Sequence, residues 1–136
     1  VTLHVGYGTF LPIEAENVEE HVMEEEYFTL GEETARMVNS ARRVVAVGTT
    51  STRVLESVAD SEGKIRAASG STRLYLYPGI PFRCVDALLT NFHLPKSSLL
   101  LLVCAFAGRE KILEAYRVAI ENRFRFYSYG DCMLIL

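Results

Sequence analysis

The chain has 136 residues, about the length of one ordinary domain. With 49% hydrophobic and 23% charged residues it is neither disordered nor collagen-like, and its longest wholly apolar run, residues 99–107, is too short to cross a bilayer. The net charge of −3 is unevenly spread: residues 1–35 hold nine Glu and no Lys or Arg, while residues 36–136 hold 14 Lys or Arg against eight Asp or Glu, a net +6 that suits a polyanionic partner or, more plainly, solvated faces that happen to segregate.

In chain order, residues 1–5 are β-rich and read as a strand running into Gly6-Tyr7-Gly8-Thr9. Asn17 and Glu20 have cap spacing for a short helix through His21. Residues 26–30 read as a strand, and Thr29-Leu30-Gly31-Glu32 matches a capping box for a helix with Ala35, Val38 and Ala41 on one face. Val44-Val45-Ala46-Val47 followed by Gly48 reads as a buried parallel strand, and Thr49-Thr50-Ser51 as the cap of a helix carrying Val54, Leu55 and Val58 inward. Residues 61–71 read as a surface loop, residues 73–77 as a strand, Tyr77-Pro78-Gly79 as a type II turn and residues 82–85 as a short strand. Residues 97–107 form an expected buried helix capped by Gly108. Residues 110–122 form an amphipathic one with Ile112, Leu113, Tyr116 and Ile120 on a stripe, and residues 132–136 a last strand. The alternation of strands and helices predicts an α/β fold with a largely parallel sheet flanked by helices.

Three stretches carry candidate chemistry. The corner Val47-Gly48-Thr49-Thr50-Ser51 offers free amides and a helix dipole to a carboxylate or phosphate, or is an ordinary capped turn; no dinucleotide or Walker glycine pattern is present. His4-Val5-Gly6-Tyr7-Gly8-Thr9-Phe10 allows a close backbone approach to a ligand, or a hairpin turn beside a packed histidine. Thr90-Asn91-Phe92-His93-Leu94-Pro95-Lys96-Ser97-Ser98 crowds polar groups before an apolar helix, where they need partners: a ligand, or a capping network with Ser97 as the cap. In residues 109–131, cations alternate with aromatics, the parts of a single-stranded RNA contact; Tyr116 and at least two other aromatics are expected to fill the core instead. No His pair has zinc spacing, and the odd count of three cysteines reads as reduced thiols, with Cys104 the most buried.

Together these stretches, with Asn17-Val18-Glu19-Glu20-His21, Tyr77-Pro78-Gly79, Phe106-Ala107-Gly108-Arg109-Glu110 and Tyr129-Gly130-Asp131-Cys132-Met133-Leu134, resemble the S-adenosylmethionine:tRNA ribosyltransferase-isomerases of queuosine biosynthesis. Leu89-Thr90-Asn91-Phe92-His93-Leu94-Pro95-Lys96-Ser97 is the strongest match. Family members tend to carry a second His three residues after the place of His21; here that place is Glu24. They are also longer, so residues 1–136, beginning at Val1, are expected to be the C-terminal part of an α/β domain binding S-adenosylmethionine and tRNA, inactive alone, with strands missing from its N-terminal side.

The resemblance implies that S-adenosylmethionine, as co-substrate, donates its ribosyl group to 7-aminomethyl-7-deazaguanine at a tRNA wobble position, giving epoxyqueuosine, adenine and methionine. It implies no metal, a monomer, no membrane and a cytoplasmic location. On this chain the expected acid/base and anchoring residues are His93, His4, Lys96 and Asp131. Substrate binding is expected from Gly6, Gly8, Thr9, Gly48, Thr49, Thr50, Ser51, Arg53, Asn91 and Ser97, and tRNA binding from Arg109, Lys111, Arg117, Arg123 and Arg125. The competing readings are a methyltransferase-like enzyme using S-adenosylmethionine, which would carry a glycine-rich first loop, and a non-catalytic RNA-binding module.

Overall fold

The computed structural model describes residues 1–6 and 11–136. Strand β2 (Glu26–Leu30) sets the first sheet, because its alternation buries Glu26, Phe28 and Leu30 and exposes Tyr27 and Thr29. It pairs antiparallel with β1 (Thr2–His4) and with β4 (Ala68–Thr72). The second sheet runs β3 (Val45–Val47), β5 (Ala87–Asn91), β6 (Cys132–Ile135). Here β3 and β5 are parallel, and β6 returns antiparallel to β5.

The fold is therefore mixed α/β, and the expectation of a largely parallel sheet is corrected: among the described residues one of four strand pairings is parallel. The reason lies between β5 and β6. Two helices, α3 (Ser98–Ala107) and α4 (Arg109–Glu121), follow each other across Gly108 alone and pack together, so the chain leaves β5, descends and climbs back before β6 begins. A single crossover helix would have made the strands parallel. Gly108 closes α3 and opens α4 at φ 90°, a conformation that favours glycine.

Other expectations shift locally. Residues 61–71 are not all loop, since β4 occupies their end. Residues 73–77 make no strand. Residues 82–85 make none either: the buried Glu56 carboxylate takes the amides of Arg83, Cys84 and Val85 at 2.7, 3.0 and 2.9 Å and withdraws them from any ladder. No capping box forms at α1 (Glu32–Ser40): Thr29 stays in β2 and Gly31 is the cap, with only Ala35 buried on the helix. Residues 18–20 form one 3-10 turn, beside which Asn17 Nδ2 donates to Glu20 Oε1 at 2.8 Å. The α4 stripe is Ile112, Tyr116 and Ala119, while Leu113 and Ile120 are exposed. The turn at Tyr77 forms as expected: Ile80 N–H donates to the Tyr77 carbonyl at 3.0 Å and Gly79 sits at φ 105°.

One core joins both sheets. Phe28 and Leu30 meet Val54 and Leu55 of α2 (Thr49–Val58), Leu88 of β5, Leu102 and Val103 of α3, and Tyr116 of α4. Each such side chain contributes about 1.5–3 kcal/mol by leaving water. Across the same seam Arg53 of α2 forms a buried ion pair with Glu26 of β2. No described helix is long and apolar enough to cross a membrane.

Candidate functional site

A cavity of about 290 Å³ opens where β3 and β5 end. Its walls are Gly48, Thr49 and Thr50 at the start of α2, Thr90, Asn91 and His93 at the end of β5, Leu99 of α3, and Tyr127 and Ser128 from the 3-10 turn Tyr127–Tyr129. Ligands of α/β sheets bind at such carboxyl-end corners.

Local chemistry explains the walls. Gly48 takes φ 89°, donates its N–H to the Leu89 carbonyl at 2.8 Å and accepts from the Thr52 amide and hydroxyl at 3.2 and 3.0 Å. Gly48 is thus the N-cap of α2, with no side-chain cap, and the expected hydroxyl cap from Thr49-Thr50-Ser51 is corrected. The amides of the first turn have no intrahelical partner, and the positive end of the helix dipole faces the corner. Thr49 is buried and lines the cavity without capping the helix.

His93 is 6% exposed. Its Nε2 is 2.9 Å from Thr90 Oγ1, and its backbone N–H donates to the Tyr116 hydroxyl at 2.7 Å. Burial pulls the imidazole pKa down to about 4, so the ring is neutral near pH 7. Burial also pushes the Tyr116 phenol up to about 12, leaving it a neutral hydroxyl. A neutral imidazole accepts a proton or holds a hydrogen bond.

The structure brings together Gly48, Thr49, Thr50, Asn91 and His93 among the expected site residues. Asp131 stands behind this wall: its carbonyl accepts from Asn91 Nδ2 at 3.2 Å and its carboxylate is held by Arg125. The others lie elsewhere. His4 is exposed on β1, opposite Tyr27 in the first sheet. Lys96 is exposed, at φ 57°, and lines a separate cleft with Glu14, Glu16 and Leu100. Ser97 caps α3, its Oγ accepting from the Leu100 amide at 3.2 Å as the capping alternative required. Arg53 is committed to Glu26 inside the core. Ser51 lies on α2 outside the cavity lining, and Gly6 lies against Glu24 and Glu25. Gly8 and Thr9 fall outside the described residues.

The basic tail divides as well. Arg117 is held by Glu114 at 2.6 Å and by Glu121, and Arg125 by Asp131 at 3.1 Å; both pairings raise the guanidinium pKa. Arg109, Lys111 and Arg123 are exposed and join no ion pair among the described residues. Of the tail aromatics Tyr116 is core and Phe126 packs on it, whereas Phe124 and Tyr129 are exposed, one fewer core ring than expected. Among the other lining residues, Thr90 stood in the polar stretch and Tyr127 among the tail aromatics, but neither was read as a substrate-binding residue, and Ser128 was not singled out by sequence. The signal at Thr90 was a hydroxyl three residues before His93; Tyr127 was read only as an RNA-stacking or core aromatic, and Ser128, far along the chain, carried no signal.

The family model described as queuosine biosynthesis protein matches residues 1–135. The chain is 64% identical over 136 residues to the S-adenosylmethionine:tRNA ribosyltransferase-isomerase of Syntrophus aciditrophicus (strain SB), covering 100% of this chain and 38% of that protein. It is 57% identical over 140 residues to the protein of that name from Moorella thermoacetica, covering 100% of this chain and 41% of that one. The crystal structure of S-adenosylmethionine tRNA ribosyltransferase from Thermotoga maritima is similar with a TM-score of 0.76 at 49% identity, covering 82% of this chain and 40% of that chain. The chain thus spans about two fifths of the length of these relatives.

Proposed function

This chain belongs to the queuosine biosynthesis protein family, and from that premise we propose that it forms part of an S-adenosylmethionine-dependent tRNA ribosyltransferase-isomerase, with the cavity between α2, β5 and the 127–129 turn as part of its S-adenosylmethionine site. The observation that carries the reading is the buried polar corner: helix amides, the Thr49 and Thr50 hydroxyls, Asn91 and a desolvated His93 converge on one cavity.

The reaction needs three things from the protein. The methionine carboxylate needs an anion site, and the uncapped first turn of α2 supplies amides and dipole for it. The ribose carbon beside the sulfonium is acidified and must lose a proton. Neutral His93, positioned through Nε2 by Thr90, is the acceptor this chain offers at that wall. The departing adenine must be protonated, and His93 does not store that proton before the reaction, because its ring is neutral in the resting state. Asn91, with one amide hydrogen given to the Asp131 carbonyl, keeps its oxygen and second hydrogen for ribose or base edges. The acceptor is a tRNA wobble nucleotide carrying 7-aminomethyl-7-deazaguanine, and the working molecule is a monomer in the cytoplasm without a metal.

The test is release of adenine from S-adenosylmethionine by a full-length family protein carrying this chain, with tRNA bearing the modified base. One adenine released per modified tRNA supports the reading. Methyl transfer without adenine, or tRNA binding with neither product, replaces it with a methyltransferase or an RNA-binding module.

A further inference from the structure

Residues 124–131 form a loop that closes on itself behind the cavity. The Arg125 backbone N–H donates to Asp131 Oδ2 at 2.5 Å, Nε donates to the same oxygen at 3.1 Å, and Nη2 to Oδ1 at 3.1 Å. This two-pronged fork gives a guanidinium geometric hold on a carboxylate. Gly130 turns the chain beside it at φ 118°, a backbone conformation that favours glycine. Two further bonds fasten the loop to the end of β5, from Asn91 Nδ2 to the Asp131 carbonyl at 3.2 Å and from the Tyr127 N–H to the Phe92 carbonyl at 2.8 Å. At the tip Tyr127 adopts φ 66°, left-handed backbone that a non-glycine residue holds only when its surroundings fix it. Tyr127 and Ser128 are the cavity wall facing the start of α2.

We propose that the Arg125–Asp131 pair is a positioning clasp: by pinning the 124–131 loop it holds Tyr127 and Ser128 in place as the wall of the S-adenosylmethionine cavity, and neither residue touches substrate or tRNA phosphate. This rests on the cavity reading given above. Asp131 is the hub, since its side chain fixes Arg125 while its carbonyl fixes Asn91, itself a cavity residue. Releasing the clasp frees the wall before ligand arrives, so binding must pay the ordering again and affinity falls. An exposed bidentate pair together with a charge-assisted amide bond is strong enough to make that fall about three- to tenfold.

The test uses a full-length family protein carrying this chain, with Asp131→Asn, Arg125→Met, Arg125→Lys and the double variant Asp131→Asn/Arg125→Met. The clasp predicts that all four weaken S-adenosylmethionine binding, measured by calorimetry, by about the same three- to tenfold factor, the double variant no more than the singles. The KM for S-adenosylmethionine should rise with kcat at saturation nearly unchanged, because a wall-positioning pair contributes to uniform binding. Arg125→Lys keeps the charge a phosphate would need but loses the fork. Full S-adenosylmethionine affinity in that variant, with a lower salt slope of tRNA binding only in Arg125→Met, overturns the clasp in favour of a phosphate contact. Asn91→Leu serves as the reference for the cavity. If it weakens binding while the clasp variants do not, the clasp is wrong and the cavity stands; if it too leaves binding intact, the cavity reading fails and the clasp with it.

Discussion

The buried His93 makes the acid sensitivity of this chain quantitative. Its ring is depressed from about 6.5 in an unfolded chain to about 4 in the folded one, by burial. Above pH 6.5 the ring is neutral in both states and its environment costs nothing. As pH falls through 6.5 toward 4, the unfolded chain takes up a proton that the folded ring refuses, so stability is lost across that window at about 1.4 kcal/mol per unit. Between pH 7.5 and 4.5 the loss from this residue is about 2–3 kcal/mol. His93→Gln keeps a hydrogen-bonding side chain and removes the titration. Urea unfolding of a full-length family protein carrying this chain should therefore show the parent losing about 2–3 kcal/mol more than His93→Gln over that range, and the His93 ring signals in NMR should keep their neutral shifts down to pH 5. A ring that titrates at 6.5 or above, with parallel stability profiles, would refute the reasoning: His93 would then be solvated, and an imidazolium acid would return as an option.

Three other outcomes follow from the packing. Replacing Glu26 by Gln removes the carboxylate that Arg53 pairs with inside the core and should destabilise by about 3–5 kcal/mol in chemical denaturation, whereas the same change at exposed Glu114 should leave the unfolding midpoint nearly unchanged. Glu56→Ala strips three backbone amides of their acceptor and should lower stability by at least about 3 kcal/mol, with faster hydrogen exchange at Arg83, Cys84 and Val85 as the local readout. Exposed Cys132 should react with a thiol reagent at once, and Cys84 and Cys104 only on unfolding, since both are buried and burial raises both thiols, Cys84 to about 11.

How far the sequence revealed the fold depended on whether local pattern and tertiary partner agreed. Residues 44–48 announced themselves as strand, turn and helix, because an apolar run ending in glycine before hydroxyls has few other uses, and β3, Gly48 and α2 followed; the expected burial of the strand did not, since only Ala46 is buried and Val45 and Val47 are exposed. Ser97 and Gly108 were legible as caps for the same reason. β4 was not: Ala68–Thr72 is small and polar, and only its ladder with β2 makes it a strand. The converse error fell on residues 73–77 and 82–85, whose side chains alternate but whose backbone has no strand to meet.

At the site, sequence gave residue types without distances. Asn91, His93 and the start of α2 stood out as polar groups beside apolar elements and do meet. His4 and Lys96 looked equally chemical and lie apart. Arg53 and Arg125 were indistinguishable from ligand-binding cations until the fold supplied Glu26 and Asp131.

The central claim is that the cavity at the ends of β3 and β5 takes S-adenosylmethionine. The most direct measurement is a crystal structure of a full-length family protein carrying this chain, bound to the unreactive thioether S-adenosylhomocysteine. The account predicts ligand density between the first turn of α2, Asn91, His93 and Tyr127, with the amino-acid carboxylate on the α2 amides. Ligand bound elsewhere, with this cavity holding only water, would contradict it.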